Sequence, residues 1–128
     1  MREYQAAEAL YQGEFLAEDR YEDWLIPQRQ SLQTEYIKLL DCLSQYYIDL
    51  KDFASCLAMC TKMLAIDPCR EEAHKRLMRS YNCQGQPYLA LRQFHMCEEA
   101  LKTELDLGPS ESTIKLYQQI RASNQTNG

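Results

Sequence analysis

The fold is decided by two stretches of the chain: LDCLSQYYIDLKDFASCLAMC at residues 40–60 and HKRLMRSYNCQGQPYLALRQF at residues 74–94. Aligned with each other, they place identical or similar residues 34 positions apart. The pairs are Leu43 with Leu77, Tyr47 with Tyr81, Cys56 with Ala90, Leu57 with Leu91, Cys60 with Phe94 and, just beyond, Met63 with Cys97. An offset that holds over this many pairs indicates an internal repeat.

A period of about 34 residues is that of the tetratricopeptide repeat, a unit of two helices joined by a turn. The first copy of its pattern runs from Leu40 to a closing Pro68. The second copy starts at His74 and lacks the closing proline, because position 102 is Lys102. We predict an all-α fold of tetratricopeptide-like antiparallel helical hairpins, stacked into a short right-handed superhelix.

Apolar spacing and turn residues predict where the helices begin and end. Steps of three and four residues predict one buried stripe on the helix that precedes residue 51. The stripe comprises Leu32, Tyr36, Leu39, Leu40, Leu43, Tyr47 and Leu50. Asp52 is expected to cap a helix over residues 53–66. Asp67-Pro68 is expected to open the next helix, which ends near Cys83, and Gly85-Gln86-Pro87 to separate it from a helix that ends near Leu105.

The two ends of the chain are less regular. Gly108-Pro109-Ser110 predicts a turn before a closing helix that directs Ile114, Tyr117 and Ile120 inward. A short helix is expected over residues 3–11, and Trp24 is expected to attach the N-terminal part to the repeats. We predict one domain over residues 1–122 and a frayed polar tail over residues 123–128.

Composition narrows the classes of function. The chain has 128 residues and a net charge of -5, which argues against autonomous binding to nucleic acid. Its longest apolar runs are too short to span a bilayer. The N-terminus, Met1-Arg2-Glu3-Tyr4-Gln5, lacks the apolar region of a signal peptide, so a cytoplasmic location and no membrane association are expected.

Catalytic motifs are missing from the sequence. It contains no GxxxxGK[ST], GxGxxG, HExxH or GxSxG. His74 falls on a packing position of the repeat, His95 adjoins Phe94, and each is expected to be structural or a solvated partner. Glu71 and Glu72 are adjacent, so they diverge on a helix and are expected on a solvated face. We predict a non-enzyme with no cofactor.

The sequence has six cysteines, at positions 42, 56, 60, 69, 83 and 97. Three disulfides would suit a secreted protein, whereas reduced thiols packed as small apolar groups suit the cytoplasm. We favour reduced thiols, because Cys56, Cys60 and Cys97 fall where the repeat packs its helices. Zinc could use Cys56 and Cys60 with a histidine, but the sequence has no CxxC and no complete ligand set, so no metal is expected.

Several motifs, in this order and spacing, resemble the bacterial transcriptional activator domain. They extend from about residue 7 to residue 120. They comprise Tyr11-x-Gly13-x-Phe15-Leu16, Trp24, Arg29, Asp67-Pro68-x2-Glu71-x2-His74-x2-Leu77-Met78, Gly85, Ala90-Leu91-x2-Phe94, Glu104-Leu105 and Pro109-Ser110-x2-Thr113. One departure is Asp106, where the family usually has a glycine suited to a left-handed helix cap. Gly108 is expected to take over that cap and move the turn by two residues.

The resemblance implies an all-helical module that follows an OmpR-type winged-helix DNA-binding domain in antibiotic regulatory proteins and related activators. It implies a non-catalytic role in dimerisation and in contacts with the transcription machinery, beside a DNA-binding domain absent from these residues. The partners would be the transcription machinery or another copy of the regulator, as a homodimer. The alternatives are a tetratricopeptide adaptor or chaperone-type protein unrelated to transcription, and a small-molecule sensor.

Stacked helix pairs use their concave side for binding, and the first helix of each repeat lines that side. The polar stripes of these two helices therefore form the candidate partner-binding groove. Its residues are Asp41, Gln45, Asp49, Glu72, Lys75, Arg79 and Asn82. We expect Lys75 and Arg79 to meet an acidic partner segment, with Asp41 and Asp49 opposing them; the alternative is an ordinary solvated face.

Overall fold

The architecture comes from a computed structural model, which describes residues 22–127 and the side chains of residues 28–124. This part of the chain forms five helices and no strand, so the predicted all-α class is confirmed. The helices are α1 Glu22–Asp49, α2 Phe53–Ile66, α3 Glu71–Cys83, α4 Pro87–Leu105 and α5 Glu111–Asn127. The helix predicted over residues 3–11, and the side chain of Trp24, lie outside the described residues.

The helices pack as stacked hairpins. Each helix contacts the next one along the chain, and in addition α1 contacts α3 and α3 contacts α5. Helices α1, α3 and α5 therefore form one layer, and α2 and α4 pack against it. This arrangement positions the candidate groove on the layer of α1, α3 and α5, while the right-handed superhelix stays a prediction.

The first hairpin turns at Lys51, which lies in the left-handed region with φ 61°. The Lys51 amide donates to the Ile48 carbonyl (3.0 Å), and the Asp52 amide donates to the Tyr47 carbonyl (2.9 Å). The Asp52 side chain then accepts from the Ser55 amide (3.2 Å) and so caps α2, as predicted.

The second hairpin repeats this backbone 34 positions later. Gly85 has φ 76°, and its amide donates to the Asn82 carbonyl (3.1 Å). The Gln86 amide donates to the Tyr81 carbonyl (2.8 Å). The same bonds at equivalent positions show that the two hairpins are structural repeats, with glycine in one turn where the other has Lys51.

The core consists of two apolar clusters that share α3. The first lies between α1, α2 and α3, and the second between α3, α4 and α5. Leu77 belongs to the first and its neighbour Met78 to the second. Cys56, Cys60 and Cys97 are fully buried, so their predicted packing role is confirmed.

Helix α3 begins later than predicted, at Glu71 rather than at Pro68. The reason is that Asp67 ends α2 in an extended conformation and its carboxylate accepts from the Cys69 amide (3.1 Å). This local bond builds a separate turn before the helix. The first hydrogen bond into α3 comes from Ala73 to the Arg70 carbonyl (3.1 Å).

Two apolar residues predicted to be buried are exposed. Leu50 is 59% exposed, because α1 ends at Asp49 and the chain turns away from the core. Ile114 is 37% exposed, because the adjacent Thr113 occupies the buried position on this turn of α5. Ile120 is buried as predicted.

The end of α4 also differs from the prediction. Asp106 adopts the left-handed conformation itself, with φ 53°, and the Leu107 amide donates to the Leu101 carbonyl (3.2 Å). Gly108 therefore does not move the cap. Helix α5 then continues to Asn127, into the segment predicted to be a polar tail.

Candidate protein-binding face

The seven predicted groove residues lie on two helices that contact each other. Residues 41, 45 and 49 belong to α1, and residues 72, 75, 79 and 82 belong to α3. We call the surface that these side chains share the α1–α3 face. The structure brings these residues together, but some of them bond to other residues of the protein and others remain exposed.

Asp41 and Gln45 hold α3 against α1 through Arg76. One guanidinium nitrogen of Arg76, Nη1, contacts the Asp41 carboxylate and donates to Ser44 Oγ (3.1 Å). Its other nitrogen, Nη2, donates to Gln45 Oε1 (3.1 Å). The Arg76 side chain is only 9% exposed. Because a buried cation needs partners, these polar groups stabilise the helix pair.

Sequence reasoning missed Arg76, although a signal for it was present. With a period of 34 residues, Asp41 and position 75 are equivalent positions of the two repeats. Arg76 is the next residue after that equivalent position, so the repeat brings it close to Asp41 on the neighbouring helix. Asp49 is also occupied, since its Oδ1 accepts from Gln45 Nε2 (2.9 Å). Asp41 and Asp49 therefore belong to a network within the protein.

Lys75 is buried, although the predicted stripe is polar along its length. Its Nζ donates to Glu72 Oε1 (3.1 Å) and to Ser112 Oγ (3.1 Å), and its side chain is 11% exposed. Ser112 lies in the first turn of α5. Lys75 thus joins α3 to α5 and offers little surface to a partner.

Glu71 has a similar structural task, which corrects the expectation of a solvated face. Its Oε2 accepts from the Ser110 amide (2.9 Å) and from Thr113 Oγ1 (2.6 Å), so a carboxylate of α3 caps α5. Partial burial would raise the pKa of Glu71. The hydrogen bonds from Thr113 and Ser110, together with the charge of Lys75, outweigh burial and hold the pKa below its ordinary value.

Arg79 and Asn82 remain exposed and line a pocket of about 320 Å³. The pocket lies where α1, α3 and α5 approach the first turn. Its other lining residues are Ile48, Lys51, Phe53, Cys83, Leu116 and Ile120. Sequence reasoning found Arg79 and Asn82 but missed the apolar side chains, which come from three further helices, and Lys51 of the turn.

The opposite side of the molecule carries apolar pockets between α2 and α4. One of about 330 Å³ is lined by Leu77, Tyr81 and Arg92 among others, and one of about 360 Å³ by Ala100 and Thr103 among others. Leu64 and Met96 line both. These two pockets were not predicted, because sequence periodicity indicates the apolar face of each helix but not how far apart two helices pack.

His74 is a packing residue, as predicted. Its Nε2 is 2.7 Å from the Pro68 carbonyl and its Nδ1 is 2.7 Å from Gln93 Nε2. A carbonyl can only accept, so Nε2 carries the proton and Nδ1 accepts from Gln93. Burial lowers the pKa of His74. Both ring nitrogens are therefore occupied, and the neutral ring is favoured.

The cysteines are six free thiols. Burial raises the pKa of Cys97 to about 12, and a hydrogen bond with Cys56, together with burial, raises that of Cys60. Within residues 28–124, no three His, Cys, Asp or Glu side chains are placed to hold a metal ion. None of the five helices could cross a membrane.

Comparison with known proteins extends beyond the described residues. A family model described as bacterial transcriptional activator domain matches residues 1–121 of the chain. No curated protein matches it. The match spans nearly the whole sequence, so the resemblance seen in the motifs is confirmed.

Proposed function

The chain belongs to the bacterial transcriptional activator domain family, and on that premise we propose that it is the protein-interaction and dimerisation module of a bacterial transcriptional regulator. Membership gives it a role associated with transcriptional activation. The proposal adds that this role is non-catalytic, that it is exerted through protein contacts in the cytoplasm, and that a DNA-binding domain outside these residues supplies recognition of DNA.

The α1–α3 face carries this proposal. Its single most informative feature is Arg79, a cation on the rim of an apolar pocket. Arg79 forms no ion pair with a described residue. Residues such as Lys75 and Arg76, in contrast, have acidic partners within the chain. A cation beside apolar walls suits recognition of another protein, since charge complementarity sets specificity while apolar contacts add affinity.

The charge of the chain supports partner proteins over DNA as targets. The net charge of -5 opposes binding to phosphates. Two partners fit the proposal: the transcription machinery and a second copy of the regulator. The isolated chain is expected to show no sub-micromolar binding to random duplex DNA at moderate salt.

A fusion experiment tests the function. The chain is joined to a DNA-binding domain that cannot activate by itself, and a reporter gene is placed beside its operator in a bacterial cell. We expect higher reporter expression than with the DNA-binding domain alone. Sedimentation of the chain tests dimerisation separately. Reporter expression that stays at the level of the DNA-binding domain alone would contradict a role in activation.

A further inference from the structure

The pocket between α1, α3 and α5 has a chemical character that the proposed function does not specify. Apolar residues from α1, α2 and α5 form its walls: Ile48, Phe53, Leu116 and Ile120. Two cations, Lys51 and Arg79, lie on its lining. We call these six residues the cationic pocket. Its volume of about 320 Å³ falls in the range of pockets that hold small ligands or peptide side chains.

The charges of Lys51 and Arg79 are not neutralised within the described chain. Neither forms a salt bridge or a side-chain hydrogen bond with residues 28–124. The acids nearest to Lys51 in sequence make other bonds. Asp49 accepts from Gln45, and Asp52 caps α2 and accepts from Ser55 Oγ (2.7 Å). The pocket therefore presents two cations with open hydrogen-bonding capacity.

The backbone at Lys51 supplies an independent observation. Its φ of 61° is a conformation that costs an L-residue about 1–2 kcal/mol and that glycine adopts freely. The equivalent turn of the second hairpin uses Gly85 with φ 76°. The first turn thus carries a strained lysine where the same backbone accepts glycine. Strain of this kind is a reason to ask what the side chain does.

From these observations we propose that the cationic pocket binds a partner protein segment in which a carboxylate adjoins an apolar side chain. The apolar side chain enters between Ile48, Leu116 and Ile120. The carboxylate is bound by the guanidinium of Arg79, whose planar geometry matches two carboxylate oxygens, and by the Lys51 ammonium. This inference rests on the proposed function and names the chemistry of its partner.

A binding measurement with the whole chain tests the proposal. The probe is a fluorescent peptide that alternates leucine and aspartate, and the matched peptide has asparagine in place of every aspartate. We expect the aspartate peptide to bind and the asparagine peptide to bind at least about tenfold more weakly. Raising the salt concentration should weaken binding of the aspartate peptide.

Three variants locate the site. Arg79→Glu should weaken peptide binding at least about tenfold. Lys51→Gly should weaken it several-fold while leaving the melting temperature unchanged or higher, so a loss cannot be attributed to unfolding. The matched control is Arg92→Glu, since Arg92 is an exposed arginine on the α2–α4 side. It should bind as the unchanged chain does.

Several outcomes would contradict the proposal that the cationic pocket binds a partner segment. They are absence of peptide binding, equal binding of the two peptides, or an Arg92→Glu loss as large as that of Arg79→Glu. The reporter fusion separates this failure from failure of the proposed function. If activation persists and is insensitive to Arg79→Glu, the pocket proposal fails while the function stands. If the fusion never activates, the proposed function fails.

Discussion

The first helical hairpin, α1 with α2, and the second, α3 with α4, share a backbone but differ in chemistry at equivalent positions. Both turns make the same amide–carbonyl bonds, 34 residues apart. Yet Leu40 of the first hairpin is replaced by His74 in the second, and Met59 by Gln93. The comparison teaches that the repeat fixes backbone geometry, whereas interior polarity can be exchanged where every polar group finds a partner.

The largest effect is expected from truncating the core of the first hairpin. Met63 is fully buried, and its equivalent in the second hairpin is Cys97, also fully buried. Met63→Ala should lower the free energy of unfolding by about 2–5 kcal/mol, because it leaves a cavity. Cys97→Ala removes one heavy atom and should cost about 1 kcal/mol. Urea unfolding measures both losses in free energy. Equal losses would contradict the prediction that truncation costs more in the first hairpin than in the second.

The next effect concerns the link between the hairpins. Arg76→Ala should lower the free energy of unfolding by about 2 kcal/mol, because Asp41, Ser44 and Gln45 lose their shared donor. The cost stays below that of a fully buried pair, since the Asp41 side chain is 37% exposed and water can solvate it. The matched control is Cys42→Ala, at the equivalent but exposed position of α1. Similar effects of the two substitutions would argue against the network.

His74 should make the stability of the second hairpin depend on pH. Burial lowers the pKa of His74 from its ordinary 6.5, so the unfolded state binds more protons just below that pH. Stability should therefore fall as the pH drops from 7 to 5.5. The double variant His74→Leu with Gln93→Met installs the first hairpin's residues and should flatten this dependence. Thermal melts across the range test it, and an unchanged slope would exclude His74 as its source.

Glu71 does not interfere with that measurement. Its pKa lies below the ordinary 4.5, so the stability it contributes is fully present above pH 5 and is lost only at more acidic pH. The thiol of Cys56 does titrate at the upper end of the interval, because a hydrogen bond with Cys60 lowers its pKa to about 7. The contribution of His74 is therefore the difference in slope between the unchanged chain and the double variant. Below that interval, a further loss should appear, and Glu71→Gln should reduce it.

The smallest effect is expected at the turns. Lys51→Gly should raise the free energy of unfolding by about 0.5–1 kcal/mol, because it relieves the left-handed backbone. Gly85→Lys should lower it by about 1 kcal/mol. No atom lies within 4 Å of a Cβ built on Gly85, so the cost there is conformational rather than steric. A neutral Gly85→Lys would show that the turns tolerate either residue.

Much of the fold could be predicted because it depends on local signals. Periodic apolar residues and caps placed α2 at residues 53–66 and ended α4 at Leu105, as the structure has them. Glu71 was assigned to solvent because its neighbours in sequence do not reveal that α5 begins beside it. Its partners, Ser110 and Thr113, are about 40 residues away, across two turns.

In the candidate site too, sequence placed the residues that depend on local signals and missed those that depend on distant contacts. Arg79 could be placed on an exposed stripe from helical spacing alone. Lys75, four residues earlier, lies on the same stripe but is covered by Ser112 of α5. Lys51 could not be recognised as part of a pocket, because its position depends on a left-handed turn that sequence patterns assign to glycine.

The distribution of thiols gives this protein a built-in place for a reporter dye. Cys42 and Cys83 are exposed, Cys69 is half-buried, and the other three are buried. Maleimide reagents should therefore modify Cys42 and Cys83 first. In a Cys42→Ser background the dye would be directed to Cys83, which lines the cationic pocket. Its emission would then follow occupancy of that pocket in a cell extract, with no residue added to the chain.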